Sequence, residues 1–364
     1  MNFSFFFSKR NMKNNPLVYF LPYAQPKMNI AKLLLSISLI FILNSTFAQN
    51  QKVQKLILQG IEFHDYGEYK KAIETYKKAL KIDENSSLAN YEIALSYIAA
   101  NDYENSISHS RKVIELNEDH LMEAYVLWGN ALDMDGKPQK AIKVYEIAMQ
   151  EFDNHLLNYN YAVTCMNVDE INKAYDALLA GISIFPSHGS SHLLLSQIMA
   201  MKESRIQAII PLYFFLLLEP NSNRSVKEYQ KLREFLSQGI SKSSSNDFDI
   251  NIAISEGGDS DFDAAELMVS LSAVSGSLEG NEEKSELELF SEQNELIFKI
   301  LGELKEENTG LWWDFYVTFF SDLANSGLTK PFSYYISQSS SPEVEDWLNN
   351  HEEEFKKFMD WVNN

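Results

Sequence analysis

Apolar residues between positions 53 and 240 recur three and four residues apart, the spacing of amphipathic helices. Short polar turns that contain Gly, Asn or Asp separate these stretches. An Ala–Tyr–Ala pattern occurs at Ala72, Tyr76 and Ala79, and it returns at Ala141, Tyr145 and Ala148. The two copies lie 69 residues apart. The chain therefore contains a unit of roughly 34 residues that repeats, with a less regular copy between the two clear ones.

Five consecutive units fit this period, and each predicts two antiparallel helices. The predicted units are 53–86, 87–120, 122–154, 155–188 and 189–222, followed by a capping helix at 223–240. Small residues in each first helix allow the helices of a unit to approach closely; they are Gly60, Ala94, Gly129, Ala162 and Ser196. Because no unit can bury its apolar face alone, the units must stack into a solenoid. Pro211 departs from the pattern, and we expect it to kink its helix or delay the helix start.

This arrangement resembles the tetratricopeptide repeat family over residues 53–222. Units one and three match it well, and the other three are degenerate. The resemblance implies an all-α solenoid of helical hairpins, whose first helices line a concave groove that binds peptides or protein segments. We call the groove-facing positions that the family pattern implies the groove residues: His64, Tyr91, Leu95, Ile98, Asn130, Asp133, Tyr159, Val163 and Met166.

The groove residues are mainly apolar and aromatic, interrupted by Asn130 and Asp133. Basic residues are almost absent from first helices two to five, with Lys202 at the edge. Because capture of a carboxylate depends on Lys or Arg, we expect the groove not to prefer acidic peptide tails. In the alternative interpretation, several of these side chains only pad adjacent repeats.

The remaining third of the chain predicts a linker and a second domain. Residues 241–262 are rich in Ser, Asn, Asp and Gly and predict a linker, whereas 263–364 predict an acidic, mostly helical C-terminal domain. Helices are expected at 264–274, 286–307, 311–325 and from Ser341 to the end, with the non-helical segment 327–341 between the last two. The aromatic residues Trp312, Trp313, Phe332, Tyr334 and Tyr335 either fill a core or form a recognition surface. This domain is a tethered enzymatic or ligand-binding module, or it docks on the solenoid as a cap.

The N-terminal region predicts an export signal. Residues 28–48 combine Lys32, the apolar run Leu33–Leu43 and a small residue, Ala48, as expected for a signal peptide cleaved after Ala48. Residues 1–27 predict an upstream extension, with Met28 as the start. The expected location is periplasmic or secreted, without stable membrane insertion after cleavage. The alternative is an uncleaved anchor in the inner membrane.

The net charge of −20 arises from 31 Lys and Arg against 51 Asp and Glu, and it argues against a nucleic-acid partner. The charge is uneven: residues 1–48 carry +5, residues 49–240 carry −6 and residues 241–364 carry −19. These values sum to the total. The acidity therefore belongs mainly to the C-terminal third, and it says more about solubility than about the groove.

No recognisable catalytic motif is present, so the sequence predicts no enzyme, cofactor or metal site. His188 and His192 have the spacing of two metal ligands on a helix, but His192 occupies a packing position. The alternation of Asp259, Asp261 and Asp263 resembles half of a calcium loop and lacks its glycine and glutamate. Cys165, the single cysteine, lies on an apolar face and predicts a core residue. The expected partner is a protein or peptide segment, and the oligomeric state stays open.

Overall fold

A computed structural model describes residues 30–238, 240–242, 248–250, 262–275, 284–306, 308–341 and 343–363. Side chains are described at 47–238, 262–271, 284–306, 308–341 and 343–363. The chain divides into two units, Met1–Lys55 and Leu56–Asn364. The predicted upstream extension, and Asp259 and Asp261 of the calcium-like alternation, lie outside the described residues.

Five pairs of helices occupy the predicted repeats, so the all-α helical repeat fold is confirmed. The first helices of the pairs are α1 (Ile30–Asp65), α3 (Ser87–Ala99), α5 (Leu121–Met134), α7 (His155–Asn167) and α9 (Gly189–Met201). The second helices are α2 (Tyr69–Leu80), α4 (Tyr103–Leu116), α6 (Pro138–Ala148), α8 (Ile171–Ile184) and α10 (Arg205–Leu218). Consecutive helices from α2 to α10 contact each other, and α3 also contacts α5, as α5 contacts α7.

One left-handed residue ends each first helix and starts the turn to the second. These residues are Gly67, Asn101, Gly136, Asp169 and Glu203, with φ between 57° and 74°. Their spacing repeats the period of the sequence pattern. Glycine adopts this conformation without strain, whereas a residue with a Cβ atom pays roughly 1 kcal/mol or more for it. The last repeat has the least favourable residue at this turn, Glu203.

Small residues set the distance between the helices of a pair, as the sequence predicts. A Cβ atom built on Gly60 would lie 2.3 Å from the Tyr76 ring, and one on Gly129 would lie 2.3 Å from the Tyr145 ring. In the last pair, the buried Ser196 hydroxyl instead donates a hydrogen bond to the Ala208 carbonyl at 2.7 Å. Close packing therefore survives the loss of glycine, because the serine hydroxyl finds a backbone acceptor.

The predicted cleavage position Ala48 lies within α1, which extends well upstream of the first repeat. Among the described residues, no helix is both long enough and apolar enough to cross a membrane.

The C-terminal part is helical, with a short pair of antiparallel strands before it. The elements are α11 (Ser225–Ser237), β1 (Ile240–Lys242), β2 (Phe248–Ile250), α12 (Asp263–Ser275), α13 (Glu286–Leu304), a π-helix (Leu311–Val317), α14 (Thr318–Asn325), α15 (Thr329–Ile336), α16 (Glu343–Asn350) and α17 (Glu352–Val362).

Two details of this part differ from the sequence-based prediction. The segment expected to be non-helical contains α15, because Pro331 lies in the first turn of that helix, where its missing N–H is not needed. The last predicted helix is broken at His351 into α16 and α17.

In the last repeat, Pro211 lies in the middle of α10. Of the two expected effects, a kink or a late start, the late start does not occur, because α10 begins at Arg205.

The C-terminal helices share one core with the last repeat, and this differs from the expected separate domain on a linker. The buried ring of Tyr213 on α10 lies 5.2 Å from Phe298, 5.7 Å from Phe320 and 6.0 Å from Phe332. The predicted capping helix α11 contacts α12 as well as α10. The C-terminal helices therefore cover the end of the solenoid, as the docked alternative requires.

An ion pair that is largely shielded from solvent holds α12 against the last repeat. The Arg205 guanidinium contacts the Glu266 carboxylate at 2.7 Å and also donates to the Ser270 hydroxyl at 2.8 Å. The backbone N–H of Ile206, near the start of α10, donates to the same carboxylate at 3.0 Å. One carboxylate thus satisfies both a guanidinium and a free helix N-terminus.

Candidate functional site

The groove residues all lie on α1, α3, α5 and α7, and each is half-buried. None is fully covered by the rest of the chain. Within each helix they follow helical spacing, so Tyr159, Val163 and Met166 share one face of α7. Because α3 contacts α5 and α5 contacts α7, these faces adjoin. The structure therefore brings the predicted residues onto neighbouring helices with part of each side chain accessible.

Polar groove residues are tied to their neighbours by hydrogen bonds. Asp133 on α5 accepts from the Thr164 hydroxyl at 3.1 Å and from the Asn167 amide at 3.3 Å, both on α7. Asn130 accepts from the buried Tyr145 hydroxyl at 2.7 Å. His64 is hydrogen-bonded to the Ser96 hydroxyl of α3 at 2.7 Å. These contacts fix the rotamers of the polar groups, so the surface is organised before a partner arrives.

Two tyrosine–histidine contacts repeat along this face. Tyr91 stacks on His120 with ring centroids 4.9 Å apart, and Tyr159 meets His188 edge-on at 5.0 Å. Both histidines are N-cap residues, of α5 and α9 respectively. His155 lies 5.3 Å from His188, and burial lowers the pKa of both imidazoles. At neutral pH His188 therefore acts as an uncharged aromatic neighbour of Tyr159.

The sequence-based set omits these histidines, although a signal was present. Tyr91 precedes His120 by the same interval at which Tyr159 precedes His188, and the pairs are two repeats apart. The set also omits two half-buried carboxylates on the same helices, Glu92 and Glu123.

Both carboxylates, Glu92 and Glu123, influence the pKa of Tyr91. Burial raises the pKa of Tyr91, and the negative charges of Glu92 and Glu123 add to the rise. Burial is also the main cause of the raised pKa of Glu92, with Asp65 adding to it and His120 opposing it. No Lys or Arg is among the neighbours that lower the Glu92 pKa, which are His120 and the Tyr76 hydroxyl.

The residues examined as possible chemical sites have structural roles. His192 is fully buried between the Tyr316 hydroxyl, at 2.6 Å, and the Pro186 carbonyl, also at 2.6 Å. Cys165 is buried, and burial raises its pKa to about 11, so its thiol is not activated. Within the described part of the chain, no cluster of His, Cys, Asp or Glu could hold a metal ion.

The C-terminal aromatic residues fill a core rather than a recognition surface. Trp312, Trp313, Phe332 and Tyr334 are buried, and Tyr335 is half-buried. A polar pocket of about 470 Å³ lies beside α16; its lining residues are Asn221, Gln338, Ser339, Ser340, Ser341, Val344, Glu345 and Leu348. One carboxylate among amides and hydroxyls does not provide an acid–base pair, so the pocket offers no evident catalytic chemistry.

Two family models match the repeat region. A model described as TPR repeat matches residues 60–101, and one described as tetratricopeptide repeat matches residues 88–120. Residues 60–120 of this chain therefore belong to the tetratricopeptide repeat family. The two matches cover the first two repeats, and the later pairs of the repeat protein follow from the shared period and packing described above. No curated protein matches this sequence.

Three solved structures are similar to part of this chain. MamA is 24% identical, with 44% of this chain and 94% of that chain covered and a TM-score of 0.39. YrrB, described as a TPR protein with an unusual peptide-binding site, is 16% identical. The match covers 52% of this chain and 97% of YrrB, with a TM-score of 0.39. PilF of Pseudomonas aeruginosa is 14% identical. The match covers 52% of this chain and 91% of PilF, with a TM-score of 0.42. These likenesses involve about half of the chain, and no functional detail is transferred from them.

Proposed function

We propose that this tetratricopeptide repeat protein is a non-enzymatic scaffold that binds a segment of another protein on the groove residues. The supporting observation is that all nine are half-buried on adjoining first helices, with no covering element among the described residues. In the C-terminal helices, by contrast, most aromatic side chains are buried in the core. Aromatic side chains that keep an accessible face are frequent anchors of protein interfaces.

The location that we propose is the bacterial cell envelope. The basic start, apolar run and small residue of 28–48 support export, and the apolar run is too short to span a bilayer as a helix. The protein's acidity supports a protein partner over a nucleic acid.

The proposal is tested by replacing Tyr91 and Tyr159 together with alanine. We expect unchanged far-UV helicity and a large loss of partner captured from envelope extract, because the rings supply contact area while remaining half-exposed. The matched control replaces two exposed apolar residues of second helices, Ile147→Ala and Ile184→Ala, and should keep capture. Unchanged capture by the tyrosine variant, or equal loss in the control, would place the binding surface elsewhere.

A further inference from the structure

Charged residues are distributed unevenly between the two helices of repeats two to five. The first helices α3, α5, α7 and α9 contain three carboxylates, Glu92, Glu123 and Asp133, and no Lys or Arg. The second helices of the same repeats, α4, α6, α8 and α10, contain six Lys and Arg against four Asp and Glu. In these four repeats the helical Lys and Arg residues therefore all lie on second helices.

The three first-helix carboxylates lack a cationic partner of their own. All three are half-buried, and none forms an ion pair with Lys or Arg within the described ranges. Asp133 has only the neutral donors of α7. Partial removal of a carboxylate from water is unfavourable unless a cation or donor compensates, so this face is stabilised by an arriving positive charge.

The groove also presents an aromatic ring that receives no cation from the chain. On the second-helix side, Lys77 lies over the Tyr97 ring at 5.6 Å. No Lys or Arg of the described residues lies over Tyr91 in this way. An aromatic face beside Glu92 and Glu123 is a combination that binds ammonium and guanidinium groups.

We propose that the segment bound on the groove residues is both cationic and apolar, an inference that rests on the proposed function. Its Lys or Arg side chains approach Glu92, Glu123 and Asp133, and its apolar side chains contact Leu95 and Ile98. Charge complementarity selects this occupant: the face has carboxylates and apolar groups and offers no base to an acidic partner. The basic second helices repel the same segment, which also favours one side of the solenoid.

The test uses the full chain and three fluorescein-labelled peptides. In the first, Lys alternates with Leu and Phe; the second has Glu and the third Gln in place of Lys. Fluorescence anisotropy should show the Lys peptide binding at least about tenfold more tightly than the Gln peptide, with the Glu peptide weakest. Added salt should reduce the difference between the peptides, because the charges are only half-buried.

Variants separate groove binding from general attraction to an acidic protein. Glu92→Gln combined with Glu123→Gln should weaken the Lys peptide about tenfold and leave the Gln peptide unchanged. The control neutralises two exposed carboxylates of the acidic C-terminal region, Glu353→Gln and Glu354→Gln, and should have no effect. Equal weakening in the control would show non-specific attraction and overturn the inference.

Failure of the inference can be told from failure of the proposed function. Equal affinity for all three peptides, lost in the variant with Tyr91→Ala and Tyr159→Ala, overturns the cationic preference and keeps the groove. A Lys peptide that does not bind also overturns the preference, while the capture experiment still decides on the groove. A Lys peptide whose binding ignores both the tyrosine and the glutamate variants counts against both proposals.

Discussion

His188 and His192 are four residues apart and belong to two regions that are built differently. His188 is half-buried, hydrogen-bonded to the Ser191 hydroxyl at 2.7 Å, and faces the ring of Tyr159 among the groove residues. His192 is fully buried against Tyr316 of the C-terminal helices. On the first side, rings stay partly accessible and carboxylates lack cations. At the second histidine, the aromatic rings are buried against the C-terminal helices, so that surface is not free to bind a partner.

The comparison shows how a solenoid with similar units acquires two different surfaces. Each repeat leaves an apolar end that must be covered, and the C-terminal helices cover the last one. The first helices have no such covering element among the described residues. Aromatic residues therefore stabilise the protein at one surface and remain available for contact at the other.

The largest expected effect is in the aromatic core between α10 and the C-terminal helices. Phe320→Ala should lower the free energy of unfolding by about 4 kcal/mol, because it leaves a cavity beside Tyr213 and Phe298. The matched groove variant Tyr159→Ala should lower it by about 1 kcal/mol, since that ring is half-exposed. Urea denaturation followed by circular dichroism measures both. Similar losses in the two variants would contradict the difference between the regions.

The ion pair between Arg205 and Glu266 provides the next test. Glu266→Gln should destabilise the protein by about 3 kcal/mol, because it leaves the largely shielded Arg205 without a counter-charge. Glu146→Gln, which removes the exposed partner of Lys173, should change stability by less than about 0.5 kcal/mol. Thermal unfolding of the two variants in parallel gives the measurement. A small effect at Glu266 would show that α12 is not held against the last repeat.

Acidification should act on the C-terminal interface through His192. The Pro186 carbonyl only accepts, so Nε2 carries the proton and Nδ1 accepts from the Tyr316 hydroxyl. Burial lowers the pKa of this neutral imidazole to about 4. The unfolded chain, with a pKa near 6.5, binds a proton first, so stability is full above about pH 6.5 and falls as the pH drops towards 4.

Between pH 6.5 and 5 this single group should account for about 2 kcal/mol of lost stability. His192→Gln should therefore give a shallower decline in stability over that interval than the wild type, whatever its stability at pH 7. The control His188→Gln removes a half-buried histidine and should alter the slope less. An unchanged slope in His192→Gln would show that this imidazole does not control the acid response.

The smallest predicted effects are at the turns inside the repeats. Glu203→Gly should stabilise the protein by about 1 kcal/mol, because it relieves a left-handed residue with φ of 57°. Gly136→Ala, at the equivalent turn with φ of 71°, should destabilise it by about the same amount. Chemical denaturation detects changes of this size. Opposite signs at two equivalent turns are the required result.

The repeats could be predicted from sequence because their determinants are local and periodic. The sequence marks close helix approaches at Gly60 and Gly129 and turns at Gly67 and Gly136, and the structure has both. The docking of the C-terminal helices could not be predicted, because its contacts join distant residues. His192 and Tyr316, for example, are 124 residues apart.

The groove was only partly predictable. A family pattern identifies helix faces, so Tyr91 and Tyr159 could be proposed without coordinates. Whether such rings stay half-exposed depends on every neighbouring element. The shortage of positive charge around Glu92 depends likewise on burial and on the identity of its neighbours in space, neither of which is read from one helix.

The central claim is that the face of the first helices is the surface that binds a partner. Site-specific photo-crosslinking tests this claim most directly. A photoreactive phenylalanine analogue at position 159, on α7, is compared with the same analogue at position 147, on α6. Both replace partly exposed apolar or aromatic residues, so folding should be preserved. The account predicts a crosslinked partner from position 159 and little or none from position 147. Crosslinking from position 147 alone would contradict it.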